Sequence, residues 1–279
     1  MKFFLIALAS ILFFAFILFL ALFTASRPRK DKKYRDALKR LKSTKYAHRG
    51  LFDPSIGVYE NTSKAFERAV ERGFGIELDV HITKDKTAVV MHDDSLKRTC
   101  GEDVKISDSF YNDIKDIKVG GSDDIPLFEN VLKMTEKKVP LIIELKTDST
   151  DVSLLCKCVS ECLEGYKGDF CIESFDPRVV MWFKKNRPDI IRGQLAANFT
   201  KESKVSNPIL RFLSRSLLIC IGSKPDFIAY DVKSVSPLAR MYFAIWRPHR
   251  FVWTVKDENT LKAYEEKGIA SIFEGFIPK

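Results

Sequence analysis

The chain holds 279 residues, 30% of them charged, and carries a formal net charge of +9. That excess is local: ten Lys/Arg stand against two Asp/Glu between Arg27 and Lys45, Lys2 adds one more, and from Tyr46 onward 35 basic residues balance 35 acidic ones. The folded body thus carries no net basic excess, which disfavours nucleic-acid binding, since such binding needs a cationic stripe there, and the roughly 230 residues of the body suit one large α/β domain better than two small ones.

Taken in chain order, the first element is residues 3–24. Phe3 to Phe23 is apolar apart from Ser10, with no charge between Lys2 and Arg27. A bilayer-spanning helix takes about 20 such residues and a cleavable leader only about 7–15. No convincing small-x-small cleavage site follows, so a single transmembrane helix is expected. The basic stretch 25–45 behind it reads as an orientation signal and a contact for anionic headgroups, which puts the body, residues 46–279, on the cytoplasmic side. Within that stretch Tyr34, Leu38 and Leu41 fall at i, i+4 and i+7, predicting a short basic amphipathic helix at the membrane surface.

After Tyr46, β-type runs alternate with helical patterns. The runs are 46–48, 75–81, 87–92, 140–146, 170–174, 190–195, 227–232, 251–255 and 269–273; the helical patterns are 62–72, 127–138, 151–164, 177–186, 236–246 and 258–267. This rhythm argues for βαβ units and a parallel sheet. Nine runs are one more than a closed barrel holds. The connection between 75–81 and 87–92 is too short for a crossover helix, so one of that pair is a hairpin arm or the strand at Gly75 is short. Residues 93–125 read as polar and largely irregular, and 199–224 as an inserted helical lobe. Cys156, Cys158 and Cys162 sit in a helical pattern without a second Cys/His pair at zinc spacing, and read as helix residues rather than a metal cluster. With Cys100, Cys171 and Cys220 they agree with a reducing compartment, although a disulfide stays open for an outward-facing body.

Chemistry gathers at strand ends. Period-two alternation sends Glu77, Asp79 and His81 to one face of their strand. Two carboxylates on an inward face are costly without compensation, for which a divalent cation is the natural partner; on an edge strand they would merely be a polar face. Glu144, ending the apolar run Leu141-Ile142-Ile143 with Lys146 on the same face, favours the first reading. His48 and His92 each adjoin a strand and are candidates for a general acid–base pair. His249, after Arg247-Pro248, reads as loop surface.

These residues stand in H-R-G, E-N-T, E-L-D-V, T-K-D, V-V-M-H-D, L-K-R-T, I-P-L-F-E, I-I-E-L-K, S-F and W-T-V, in that order across about residues 46–255. The series resembles the glycerophosphodiester phosphodiesterases. The resemblance implies a (β/α)₈ TIM barrel with the site at the C-terminal strand ends. It implies metal ligation by Glu77, Asp79 and Glu144, with Mg²⁺ or Ca²⁺ as cofactor, and acid–base catalysis by His48 and His92. It also implies a phosphate held by Arg49 and Lys146, Glu60 fixing Arg49 or the substrate end of the pocket, and Trp253 as part of the wall against the glycerol or alcohol moiety. The expected activity is hydrolysis of glycerophosphodiesters in lipid metabolism. A lysophospholipase D acting on acylated lysolipids, or a non-catalytic lipid-binding barrel, are the alternatives. The chain departs from the family's usual ending at residues 271–276, a difference expected to touch no metal or catalytic position.

Overall fold

In a computed structural model describing residues 6–16, 31–147, 151–198, 208–233 and 235–279, eight of the β-type runs close into a parallel barrel. The strands are β1 (Tyr46–Ala47), β2 (Gly75–Ile82), β3 (Ala88–Val90), β4 (Lys118–Val119), β5 (Asp123–Asp124) and β6 (Leu141–Leu145), followed by β7 (Phe170–Ser174), β8 (Arg192–Ala196), β9 (Phe227–Asp231), β10 (His249–Val255) and β11 (Ala270–Phe273). The helices begin with α1 across residues 6–16. They continue as α2 (Lys32–Lys42), α3 (Ser63–Glu71), α4 (Lys97–Cys100), α5 (Tyr111–Ile114), α6 (Phe128–Thr135) and α7 (Val152–Cys162). The last are α8 (Pro177–Asn186), α9 (Pro208–Arg215), α10 (Cys220–Ser223), α11 (Pro237–Trp246) and α12 (Glu258–Glu265).

The barrel order is β1, β2, β6, β7, β8, β9, β10, β11, and β1 pairs with both β2 and β11 to close it. β3 is the hairpin arm, antiparallel to the end of β2. Alternation along the strands makes two cores. Outward residues such as Ile76, Leu78, Ile143 and Ile172 pack with the helices, while inward ones such as Tyr46, Ile142, Cys171, Phe227, Phe251 and Ala270 fill the barrel. Gly193 faces inward where the Phe227 ring lies; a Cβ there would meet that ring at 2.2 Å.

Where the lower barrel needs a plug, α2 supplies it. Asp31 caps the helix by accepting from the Lys33 N–H at 2.7 Å, and Tyr34, Leu38 and Leu41 are buried against the inner core. Tyr46 donates its hydroxyl hydrogen to the Leu41 carbonyl at 2.8 Å. The reading of this helix as a membrane-surface element is therefore corrected: its periodicity is right, but its apolar face covers the floor of the barrel.

Among the described residues no helix is long and apolar enough to cross a membrane. Of the expected span 3–24, residues 6–16 are helical and exposed, and the rest lies outside the described residues. The stretch 93–125 is more ordered than its polarity predicted, because Met91, Leu96, Ile106, Ile114, Val119 and Ile125 form a small apolar cluster of their own. His249 opens β10 instead of lying in a loop. In the expected lobe, residues 199–207 lie outside the described residues, and α9 and α10 pack through Leu213, Leu217 and Cys220 onto β9 and α11. All six cysteines are free thiols.

Candidate active site

At the C-terminal mouth of the barrel the inward residues turn from apolar to charged. β2 contributes Glu77 and Asp79, β6 Glu144 with Lys146 just beyond it, and β7 Glu173; register pairs Asp79 with Glu144 and Glu144 with Glu173. Oxygen atoms of Glu77, Asp79 and Glu144 come within 4.8 Å of one another. All four carboxylates are buried. Lys146 Nζ stands 2.9 Å from both Asp79 and Glu144, and Arg49 Nε is 3.6 Å from Asp79.

The charges do not cancel. Four buried carboxylates face one ammonium and one guanidinium, and the guanidinium is shared with Glu60 at 2.8 Å. Burial and mutual repulsion push Glu77 and Glu173 well above the ordinary carboxylate range. Burial, opposed by Lys146, brings Glu144 up to about 7. Only Asp79 stays well below it, because Lys146, His92 and Arg49 outweigh the cost of burial. Such an excess is what a divalent cation relieves, and an all-oxygen donor set suits a hard one. Glu173 Oε2 is buried without a hydrogen-bond partner. The residues present therefore fit a Mg²⁺- or Ca²⁺-type ion.

The H-R-G and E-N-T motifs have local reasons. Arg49 (φ 55°) and Gly50 (φ 82°) both take the left-handed conformation directly after β1. That turn aims the Arg49 N–H at Glu77, 2.9 Å away; at a non-glycine residue it stores strain, which clusters at functional sites. Glu60 accepts from Arg49 and, at 2.7 Å, from Arg98. Asn61 donates to Asp79 at 2.8 Å, and Thr62 caps α3.

His48 and His92 line one cavity of about 350 Å³ together with Glu77, Glu144, Lys146 and Trp253. Each histidine is held from behind by a carboxylate. His48 Nδ1 lies 2.5 Å from Glu274, and His92 Nδ1 lies 2.8 Å from Asp93. A carboxylate on Nδ1 fixes the proton there and leaves Nε2 for the substrate. Burial lowers both imidazoles, His92 to about 4, so both are neutral bases at neutral pH. Trp253 stands edge-on to Phe175, ring centroids 5.6 Å apart, and forms the apolar wall. His81 points its Nε2 at the His92 carbonyl, 3.3 Å away.

The structure thus gathers Arg49, Lys146 and Trp253 with the acidic and histidine residues around one cavity, and sets Glu60 behind Arg49. It corrects one expectation: the unusual ending is not remote from the site, since Glu274 holds His48. Glu173 and Glu274 were both missed, although parity pointed to them. Each follows an inward residue by two, Cys171 for Glu173 and Ile272 for Glu274. Asn61, Asp93 and Arg98 lie off the strands, where no such pattern exists.

Residues 48–224 match the model of the glycerophosphoryl diester phosphodiesterase family. YhdW of Bacillus subtilis, whose assignment as a glycerophosphodiester phosphodiesterase is provisional, is 29% identical over 252 residues, covering 84% of this chain and 96% of that protein. The lysophospholipase D GDPD1 of Mus musculus is 32% identical over 194 residues, 64% of this chain and 55% of that protein. A solved Oleispira antarctica phosphodiesterase, in complex with the product sn-glycerol-3-phosphate, shares the fold with a TM-score of 0.67 at 19% identity, covering 83% of this chain and 92% of that one. With well over half of its length matched by the family model, on a closed barrel that gathers the motif residues at one mouth, the chain belongs to the glycerophosphoryl diester phosphodiesterase family and is a phosphoric diester hydrolase.

Proposed function

We propose that this enzyme hydrolyses glycerophosphodiesters to glycerol phosphate and an alcohol, in a reaction dependent on a divalent cation held by Glu77, Asp79 and Glu144. The observation that carries the reading is the pair of carboxylate-held histidines, His48 and His92, facing one cavity beside a buried acidic excess. When bound, the cation supplies Lewis-acid stabilisation of charge on the phosphate oxygens. Arg49 and Lys146 bind the same oxygens, Arg as a forked donor and Lys as a point charge. One histidine takes a proton at Nε2 from the attacking hydroxyl, of water or of the substrate's own glycerol; the other, once protonated, delivers one to the departing alcohol, and where the glycerol hydroxyl attacks, water then opens the cyclic phosphate to glycerol phosphate. Glu274 and Asp93 hold the rings in the tautomer that allows this. Glu60 keeps Arg49 aimed into the site, and Trp253 excludes water from the alcohol side.

A second reading, lysophospholipase D activity on acylated substrates, draws on the apolar wall of Phe175, Leu195 and Trp253 and on the similarity to the mouse protein. The two separate in an assay of glycerophosphocholine against its acylated lysolipid under Mg²⁺, Ca²⁺ or chelator. The main reading expects faster turnover of the unacylated diester and loss of both activities in chelator. The apolar run 3–23 and the basic segment 25–45 support a single-pass membrane protein that meets anionic lipid and holds its barrel on the cytoplasmic side. Protease protection of the barrel in sealed vesicles of known orientation tests that side.

A further inference from the structure

Away from the mouth, one flank of the barrel departs from the even mixture of charges found elsewhere. The chain has 37 acidic residues, yet none lies between Glu202 and Asp226 or between Asp231 and Asp257. Those two stretches contain α9 and α11, which are neighbours. The Ser236 hydroxyl donates to the Arg215 carbonyl at 2.6 Å, and Leu213 packs with Ala239 and Tyr242. Their outer faces carry Ile209, Leu210, Phe212, Leu238, Met241 and Ile245, between 41% and 67% exposed. Arg215, Arg240 and Arg247 are exposed beside them. Apolar side chains of this size, clustered on adjacent helices beside three exposed arginines, mark an interaction site. Between α11 and α12 a second cavity, of about 400 Å³, offers Arg240, Arg250 and Lys267 against Phe243 and Tyr264, with Asp231 as its single carboxylate.

We infer that this flank docks the barrel onto a bilayer surface bearing anionic headgroups, with the apolar residues of α9 and α11 entering the interface and the cations meeting phosphate. Charge decides the occupant. A second copy would bring like-charged faces together, whereas an anionic lipid surface complements both the cationic rim and the cavity. Position agrees: burial, with Arg250 of β10 close by, lowers the Lys42 ammonium, so the start of β10, which directly follows α11, stands beside the C-terminal end of α2. The contact belongs to the barrel's own surface and does not depend on which residues cross the membrane or on the substrate proposed above.

The test is amide hydrogen exchange of the full chain in vesicles of neutral phosphatidylcholine, with and without one third phosphatidylglycerol. Residues 208–215 and 237–246 should exchange at least about fivefold more slowly on the anionic vesicles, with the difference removed by high salt and by Phe212→Glu with Met241→Glu. Equal exchange on both vesicle types overturns the inference, as does slowing that survives the double substitution. Slowing in vesicle-free detergent that grows with protein concentration also overturns it, in favour of a second copy. Hydrolysis of a soluble diester, read on the same samples, should be unchanged by the double substitution; failure of that activity in the unmodified chain bears on the proposed reaction alone.

Discussion

Glu274 sits two residues beyond Ile272 on the inward face of β11, and from there it reaches His48 and, at 2.7 Å, Lys256. Glu274→Gln removes the charge that orients His48, and should cost about ten- to a hundredfold in kcat with little change in KM. His48→Ala, which removes the acid–base group itself, should cost about 10²–10⁴-fold while leaving the thermal transition in place. The same pair gives a pH signature. Hydrogen bonds from His48 and Lys256 hold Glu274 down at about 2, from an ordinary 4.5. A carboxylate lowered on folding adds stability above its unfolded pKa and loses it as pH falls through the folded one. The contribution is therefore full above about pH 4.5 and gone near pH 2, and Glu274→Gln should flatten the fall of Tm across that window. At this scale the sequence was legible wherever strand parity applied. It exposed Glu77, Asp79 and Glu144, and a stricter use of the same rule reaches Glu173. Asp93 and Arg98 follow from loop packing, which no period encodes.

Among elements, α2 shows where periodicity stops informing. Tyr34, Leu38 and Leu41 predicted an amphipathic helix, and the helix is there. What its apolar face meets depends on the open lower end of a closed barrel, a property of the tertiary fold. Arg40 anchors the helix by two hydrogen bonds of 2.7 Å to Asp169, just before β7. Leu41→Ala should cost about 2–5 kcal/mol, because a residue 1% exposed leaves a cavity that the strands cannot collapse to fill. Calorimetry should show Tm lowered by several degrees, with kcat per folded molecule unchanged. An unaltered Tm would mean that the plug is dispensable. The insertion after β3 was misread for a related reason: its apolar residues are spaced for short turns around a private cluster and fit neither the helical nor the strand period.

For the whole molecule, the parallel sheet followed from the rhythm of the runs and the barrel from the family resemblance, with the ninth run explained by β3 as a hairpin arm. Closure itself, through β1 pairing on both sides, rests on two residues and has no mark in the sequence. If the apolar run 3–23 inserts in the bilayer as proposed, the full chain should stay with vesicles through high-salt and alkaline washing; release by salt alone would reduce the attachment to the basic segment and the barrel flank. The most direct measurement for the central claim is turnover of glycerophosphocholine by the purified full chain with Mg²⁺, with Ca²⁺ and in chelator, alongside Glu77→Ala. Release of glycerol phosphate should be supported by one of the two cations, abolished by chelator, restored by added metal and absent in Glu77→Ala. Full turnover in chelator, or in Glu77→Ala, would contradict that claim.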